Sequence, residues 1–349
     1  MTSFDVIVIG AGPAGCKTAE IIAKKGYDVL VLEEHSSIGK PTQCTGLVSQ
    51  RIGKIPKEIV VNKIKIARFY SGNNYFEIKS KKPVYVINRG KFDKYVAEKA
   101  KRAGVYFKLS TRFLDFKNGE ALTSKGNYRT KLLVGADGPN SSVAKISGIK
   151  LPKNILSGVQ VNVKSHFDPG TVELWFGSDI AHGLFAWVVP ESSNAARVGL
   201  ATDKNPNKFF EKFLKKRLGE IKSTDRIGDV IRYGLIKKSV ADNVLLVGDA
   251  ACQIKPFSAG GLVYGQISAK YAGEACVKAL ETEDYSKKFL SRNYDKEWKK
   301  ELENPIRKGL FMKKVFSKIQ DKPFSFKLIK NLGITKLSSV MDMDFLGKQ

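Results

Sequence analysis

The chain has 349 residues, 42% hydrophobic and 27% charged, which excludes extensive disorder and leaves room for one large domain or two intertwined ones. Lys and Arg number 60 against 34 Asp and Glu, a formal charge of +26 that attracts polyanions such as nucleic acid, an anionic membrane surface or a phosphorylated substrate. A lysine-rich surface without any anionic partner gives the same balance.

Residues 4–9 form a continuous apolar run bounded by Gly10, the pattern of a buried parallel strand. Met1 leads into it without a basic segment or small-residue cleavage site, so no signal peptide is expected. No apolar run reaches transmembrane length. A helix over 14–25 and a strand over 28–32 complete βαβ order. A loop rich in Gly, Pro, Ser and Thr follows over 36–49. Residues 63–79 alternate as a hairpin turning at Gly72-Asn73-Asn74, and 84–87 read as a separate strand. Next come a helix over 90–102 and a strand over 105–109. A second hairpin is expected over 120–129, then a buried strand over 132–135 ending in a Gly/Asp/Pro loop.

Strands over 158–165, 171–176, 184–189 and 195–201 predict an antiparallel sheet, a second layer against which a substrate lies. A helix is expected over 206–218, a buried parallel strand over 244–247 and a long helix over 259–280. The chain then stays helical and basic, broken by Pro305 and Pro323. From Lys308 to Lys336 apolar residues (Leu310, Phe311, Val315, Phe316, Ile319) alternate with Lys313, Lys314 and Lys318 at helical spacing. Such a face caps a substrate domain or docks on an anionic bilayer.

Four cysteines, Cys16, Cys44, Cys252 and Cys276, are too scattered for a disulfide framework, and no pair has metal-ligand spacing. A reducing cytosol fits this usage. His35, His166 and His182 show no ligand spacing either, so no metal is expected. No nucleic-acid recognition motif accompanies the charge, so nucleic acid is not an expected partner.

Gly10-Ala11-Gly12-Pro13-Ala14-Gly15 matches GxGxxG in the required context: after a strand, opening a helix, with Glu33 ending the second strand. The helix N-terminus offers amides and a positive dipole to a pyrophosphate, and Glu33 accepts from the adenosine ribose. An acidic residue there disfavours a 2′-phosphate. FAD rather than NAD is expected from two later turns. Gly135-Ala136-Asp137-Gly138-Pro139 ends one strand. Gly248-Asp249 tips another, and Gly260-Gly261 then precede the long helix. Asp249 offers an acceptor to ribityl hydroxyls, and the second helix N-terminus stabilises an anionic reduced flavin.

These turns, in this order, resemble the flavoprotein hydroxylase superfamily of the p-hydroxybenzoate hydroxylase type. Asn88-Arg89-Gly90-Lys91-Phe92-Asp93 looks like its Arg-x-x-Phe-Asp element, which places Arg89 near the flavin phosphate or ribityl chain. Within it, the chain resembles the geranylgeranyl reductase family. Pro41-Thr42-Gln43-Cys44-Thr45-Gly46 matches Pro-x-x-Cys-x-Gly, and residues 185–190 resemble Tyr-x-Trp-x-Phe-Pro, with Phe185 and Val189 as departures. Met341-Asp342-Met343-Asp344-Phe345 looks like that family's ending. The resemblance covers essentially the whole chain.

It implies an α/β fold: a Rossmann-type FAD-binding domain with an inserted antiparallel-sheet substrate domain and a C-terminal helical region. The expected division is 1–62, 80–150 and 240–285 for FAD, 63–79 and 151–239 for substrate, and 286–349 as the basic helical region. The implied activity is saturation of geranylgeranyl double bonds, on archaeal-type ether-lipid precursors. A flavin monooxygenase or halogenase, and a non-catalytic lipid-binding flavoprotein, are the alternatives. Cys44, Trp187, Phe185 and His182 are the candidate catalytic residues. Gly10, Gly12, Pro13, Ala14, Gly15, Glu33, Cys44, Gly46, Arg89, Asp137, Gly138, Gly248, Asp249, Gly260 and Gly261 are the candidate cofactor residues. A Cys44–Cys252 disulfide is a further option. Expected partners are a prenylated phospholipid or prenyl diphosphate and an external electron donor (ferredoxin, deazaflavin or nicotinamide). The expected location is cytoplasmic, with peripheral contact to the inner face of an anionic membrane.

Overall fold

The computed structural model describes residues 2–42, 44–219, 226–319 and 321. The ending motif at 341–345, and most of the tail beyond Ile319, lie outside them.

The chain forms two sheets. The first runs in the order Val240–Ala241, Val244–Leu246, Gly126–Gly135, Ser3–Ile9, Val29–Leu32, Tyr106–Lys108. All its neighbours along that path are parallel except the first pair. Val6, Ile7, Val8, Leu30 and Leu132 are fully buried, because layers cover both faces of these strands. Helices Pro13–Ala23, Arg89–Arg102 and Leu262–Thr282 pack together against this sheet. The expected hairpin over 120–129 is present. Its second arm does not stop but runs on as Gly126–Gly135, so one strand serves both a hairpin and the central parallel sheet.

The second sheet runs in the order Ile227–Tyr233, Asn154–Lys164, Ala195–Thr202, Ala186–Pro190, Thr171–Phe176, Val60–Ser71, Asn74–Ile87, Leu47–Val48. It is antiparallel with one exception: Thr171–Phe176 lies parallel to Val60–Ser71. That pairing joins the early hairpin to the late strands. The separate strand expected over 84–87 is instead the end of Asn74–Ile87, continued across register shifts in its partner. The strand Ile227–Tyr233 was not foreseen.

Alternation gives this sheet two apolar faces. One carries Val161 and Val198 under Phe210 and Phe213 of helix Pro206–Leu218. The other carries Leu174, Phe185 and Val189 and clusters with Leu156 and Ala201. The helix Lys296–Ile319 runs through Pro305 unbroken, contrary to expectation. Trp298, Leu302 and Ile306 are fully buried, and this packing outweighs the hydrogen bond that proline removes. Near its end Phe316 packs edge-on against Phe176 at 4.8 Å and near Phe257. Phe311 and Val315 on the same helix are exposed. No described helix is long and apolar enough to cross a membrane.

Candidate active site

A cavity of about 640 Å³ lies between the first sheet and the second, within the size range of a cofactor pocket. The glycine turn after Ser3–Ile9 forms its floor at one end. Gly10 has φ +100°, and a Cβ there would stand 2.4 Å from the Ala136 carbonyl oxygen. Gly15 lies behind the turn, packed on Gly10. Gly12, Pro13 and Ala14 line the cavity, and nothing stands within 4 Å of a Cβ at Gly12. Helix Pro13–Ala23 begins there with no side-chain cap, so its amide end is presented to the cavity. Helix Leu262–Thr282 also begins at the cavity, at Gly260 and Gly261, again uncapped by a side chain.

Glu33 lines the same end. Its Oε2 accepts from the Ala11 amide at 2.8 Å, and its Oε1 lies 2.6 Å from His35 Nδ1. Lone pairs remain for a ribose hydroxyl. Arg89 forms a bidentate pair with Asp93, both contacts 3.1 Å, and its guanidinium also reaches the Cys44 side chain. Burial pushes the Asp93 carboxyl up, against the pull of Arg89. The Cys44 sulfur accepts from the Gly46 amide at 3.3 Å. It is therefore ringed by donors.

Asp137 and Gly138 line the cavity, but the Asp137 carboxylate is turned into the protein. It accepts from Ser141 Oγ at 2.6 Å and from the Val143 amide at 3.1 Å, capping the short helix Ser142–Ile146. Burial raises its pKa more than these bonds lower it. Asp249, beside Gly248, behaves differently. Its side chain is exposed onto the cavity, and its carboxylate has no hydrogen-bond partner among the described residues. Burial raises its pKa, opposed by Arg89. A carboxylate that faces the cavity with its lone pairs free is left for a ligand's donors to fill. Ribityl hydroxyls do so. The bare Gly12 surface, two uncapped helix ends and this orphaned carboxylate together fit a flavin dinucleotide.

The other end of the cavity is the apolar face of the second sheet: Leu174, Phe185, Trp187, Val189 and Ile231. Of the four candidate catalytic residues, Cys44, Phe185 and Trp187 meet in this cavity and His182 does not. The His182 ring pairs with Asp203, 2.5 Å away, on the outer side, because Gly183 turns the chain before Phe185. All four cysteines are free, so Cys44 and Cys252 are not joined. Cys252 is buried away from the cavity, and burial pushes its thiol up to about 12.

Two cavity residues had escaped the sequence reading. Gln160 is 7% exposed, and its Oε1 accepts from both Thr45 Oγ (2.8 Å) and Trp187 Nε1 (3.2 Å). The indole N–H is an obligate donor, so the orientation of the amide is fixed. Gly199 makes room for that indole: a Cβ there would lie 2.6 Å from Trp187 Cζ2. Gln160→Leu orphans the indole N–H, and a stability loss of about 1–3 kcal/mol is expected. Thermal unfolding of the variant checks it, and an unchanged Tm rejects this anchoring role. The second missed residue is Asp229, on Ile227–Tyr233. Its signal was present as a carboxylate in phase with Ile227, Ile231 and Tyr233, but the strand itself had not been recognised.

Comparison with known proteins agrees with this geometry. Residues 3–281 match the FAD binding domain family model. The digeranylgeranylglycerophospholipid reductase of Methanosarcina acetivorans is 32% identical, over 98% of this chain and 92% of its own length. The crystal structure of a geranylgeranyl bacteriochlorophyll reductase-like protein from Thermoplasma acidophilum is 26% identical and superposes with a TM-score of 0.85, covering 92% of this chain and 90% of that one. The flavin-dependent brominase Bmp2 shares the fold at 20% identity and a TM-score of 0.68, covering 95% and 94% of the two chains. A cavity built for a flavin dinucleotide, a matched FAD-binding domain and relatives aligned along nearly the whole chain lead to one assignment: the protein belongs to the geranylgeranyl reductase family of FAD-binding flavoproteins and is an FAD-dependent oxidoreductase.

Proposed function

We propose that the protein saturates isoprenoid double bonds, with geranylgeranyl chains of archaeal-type ether-lipid precursors as its substrate. The observation that carries this reading is that one cavity joins the dinucleotide turns to an apolar wall. Leu174, Phe185, Trp187 and Val189 offer a prenyl chain dry contact and no hydrogen-bonding group except the Trp187 N–H, already held by Gln160. The name carried by the Methanosarcina acetivorans relative supports the same substrate class.

Reduced FAD, when bound, supplies a hydride. The protein's own groups bind and orient. Gly12 and the two helix ends would hold the phosphates and the polar edge of the ring, and Asp249 would take the ribityl hydroxyls. Arg89, fixed by Asp93, adds positive charge beside them. The sheet face keeps the alkene in contact with the ring and excludes water. Reducing equivalents come from an external carrier.

The test is anaerobic. Protein reconstituted with FAD and reduced with dithionite is mixed with geranylgeranylated glycerophospholipid. Flavin reoxidation should accompany a gain of two hydrogens per double bond in the lipid. Reoxidation that requires oxygen and leaves the lipid mass unchanged would favour a monooxygenase or halogenase, and no reoxidation at all a lipid-binding protein.

A further inference from the structure

We propose that Asp229 is the proton donor for alkene saturation, presented to the substrate by the strand Ile227–Tyr233 in the wall of the cavity. The proposal rests on the reductase reading. An isolated double bond carries no group that can deliver a proton. Saturation therefore needs an acid held beside the second alkene carbon.

The acidic side chains of the cavity are not equivalent. Glu33 is engaged by Ala11 and His35 at the nucleotide end. Asp93 is paired in bidentate fashion with Arg89. Asp137 caps a helix and faces inward. Cys44 accepts a hydrogen bond from the Gly46 amide and lies beside Arg89, on the loop and not on the sheet. Asp249 stands at the glycine turn, where a Cβ on Gly261 would lie 2.5 Å from its Oδ1, among the groups assigned to the cofactor.

Asp229 alone among these is carried by the second sheet. Its cross-strand neighbour is Gly158, which has no side chain, so the cavity reaches the strand backbone beside the carboxyl. Ile227 and Ile231, two residues away on either side, share its face and line the cavity. Along the next row, Ile227 pairs with Gln160, Gln160 with Gly199 and Gly199 with Trp187. The carboxyl therefore stands on the same wall as the indole, set in an apolar surround. One oxygen accepts from the Val230 amide at 2.7 Å, and the other has no partner among the described residues.

The charged groups around it act in opposite directions. Asp249, from the turn at 248–251, repels a second negative charge, and Arg89, from helix Arg89–Arg102, attracts it. Arg232, on the same strand, is turned away to the carbonyls of Pro139 and Pro152, and Lys255 lines the cavity as well. Burial is the largest influence and, with Asp249, pushes the carboxyl up to about 6. An acid of that strength is about half protonated near pH 6 and keeps only about a tenth of its protons at pH 7, well above an ordinary aspartate.

The step balances. A hydride, with its electron pair, passes from reduced flavin to one alkene carbon. The Asp229 O–H proton passes to the other. The π bond is consumed and two C–H bonds form. The flavin is oxidised by two electrons, the Asp229 carboxylate regains a proton from solvent, and dithionite re-reduces the flavin in the assay.

The experiment compares wild type, Asp229→Asn and Asp229→Glu, each the full chain reconstituted with FAD. The wild-type rate of lipid-dependent flavin reoxidation should be highest below pH 6 and fall about tenfold per pH unit above it, as the carboxyl ionises. Asp229→Asn should slow it by about 100-fold or more and erase that limb, and Asp229→Glu should restore part of both. FAD affinity should stay within about threefold of wild type in both variants. The wild-type flavin absorption spectrum should show a one-proton step near pH 6 that Asp229→Asn lacks. An active wild type with an Asn variant of equal rate and unchanged pH limb overturns this proposal alone. An Asn variant that binds no FAD overturns it too, by assigning the carboxylate to the cofactor. A wild type that reduces no prenyl lipid overturns the reductase reading, and this proposal with it.

Discussion

Gly15→Val is expected to give a protein that neither binds FAD nor folds stably. Any Cβ at this position would stand 2.2 Å from the Gly10 carbonyl oxygen, 2.9 Å from Ala136 Cβ and 3.2 Å from Val8 Cγ1. None of these can yield. Gly10 is held by its N–H donating to the Leu32 carbonyl (2.8 Å), Ala136 by its N–H donating to the Ile9 carbonyl (2.8 Å), and Val8 is fully buried in the central strand. The helix must move off the sheet, at a cost of more than about 4 kcal/mol. Gly12→Ala is the matched control. Gly12 has φ −69° and ψ 170°, a conformation open to any residue, and a Cβ there meets nothing within 4 Å. Stability should stay within about 0.5 kcal/mol of wild type. FAD affinity should nonetheless fall by about tenfold or more, because the added methyl occupies the space where the pyrophosphate approaches. Urea denaturation and flavin titration of both variants separate the two roles. A Gly12 variant with wild-type affinity would remove the phosphate from that position.

The next largest effect is expected at Arg197. This side chain is almost fully buried and forks between the two halves of the site. Nη1 donates to the carbonyls of Thr45 (2.5 Å) and Ile87 (2.9 Å), while Nε and Nη2 donate to Glu191 Oε1. It thereby fastens the loop carrying Cys44 and Thr45 to the second sheet. Arg197→Met leaves two carbonyls without this donor, each worth about 1–3 kcal/mol, so a loss of about 2–6 kcal/mol is expected. The Glu191 contact adds little, since that carboxylate is partly exposed. Arg197→Lys keeps the charge but not the fork and should fall between. FAD affinity should drop alongside stability, because the loosened loop also carries the Cys44 contact to Arg89. A Met variant with wild-type urea midpoint and wild-type flavin affinity would show that the loop holds itself.

His182 and Asp229 show where reading the chain alone goes astray. His182 lies close in sequence to Trp187, and sequence nearness alone would put both in one site. A positive φ at Gly183 intervenes and sends the two side chains to different surfaces. The run around Asp229 follows a helix and a polar stretch, and a single run of alternating residues is weak evidence for a strand. What makes it a strand is pairing with Asn154–Lys164, a partner about seventy residues earlier. The extended hairpin over Val60–Ile87 follows the same logic. Its register shifts and its parallel neighbour Thr171–Phe176 set its length, and neither leaves a local trace.

The amino-acid order by itself determined the dinucleotide unit, the parallel strands, most of the second sheet and three of the turns that meet at the cavity. Those features are written in short-range chemistry: apolar runs, alternation, and glycines at turns that admit no side chain. Only the tertiary structure decided which residues share the cavity. It put Asp229 and Gln160 on the wall beside Trp187, turned Asp137 inward to cap a helix, and left Asp249 facing open space. The reason is that a strand's facing depends on its register with a distant partner, and a one-residue slip would turn every side chain to the other side.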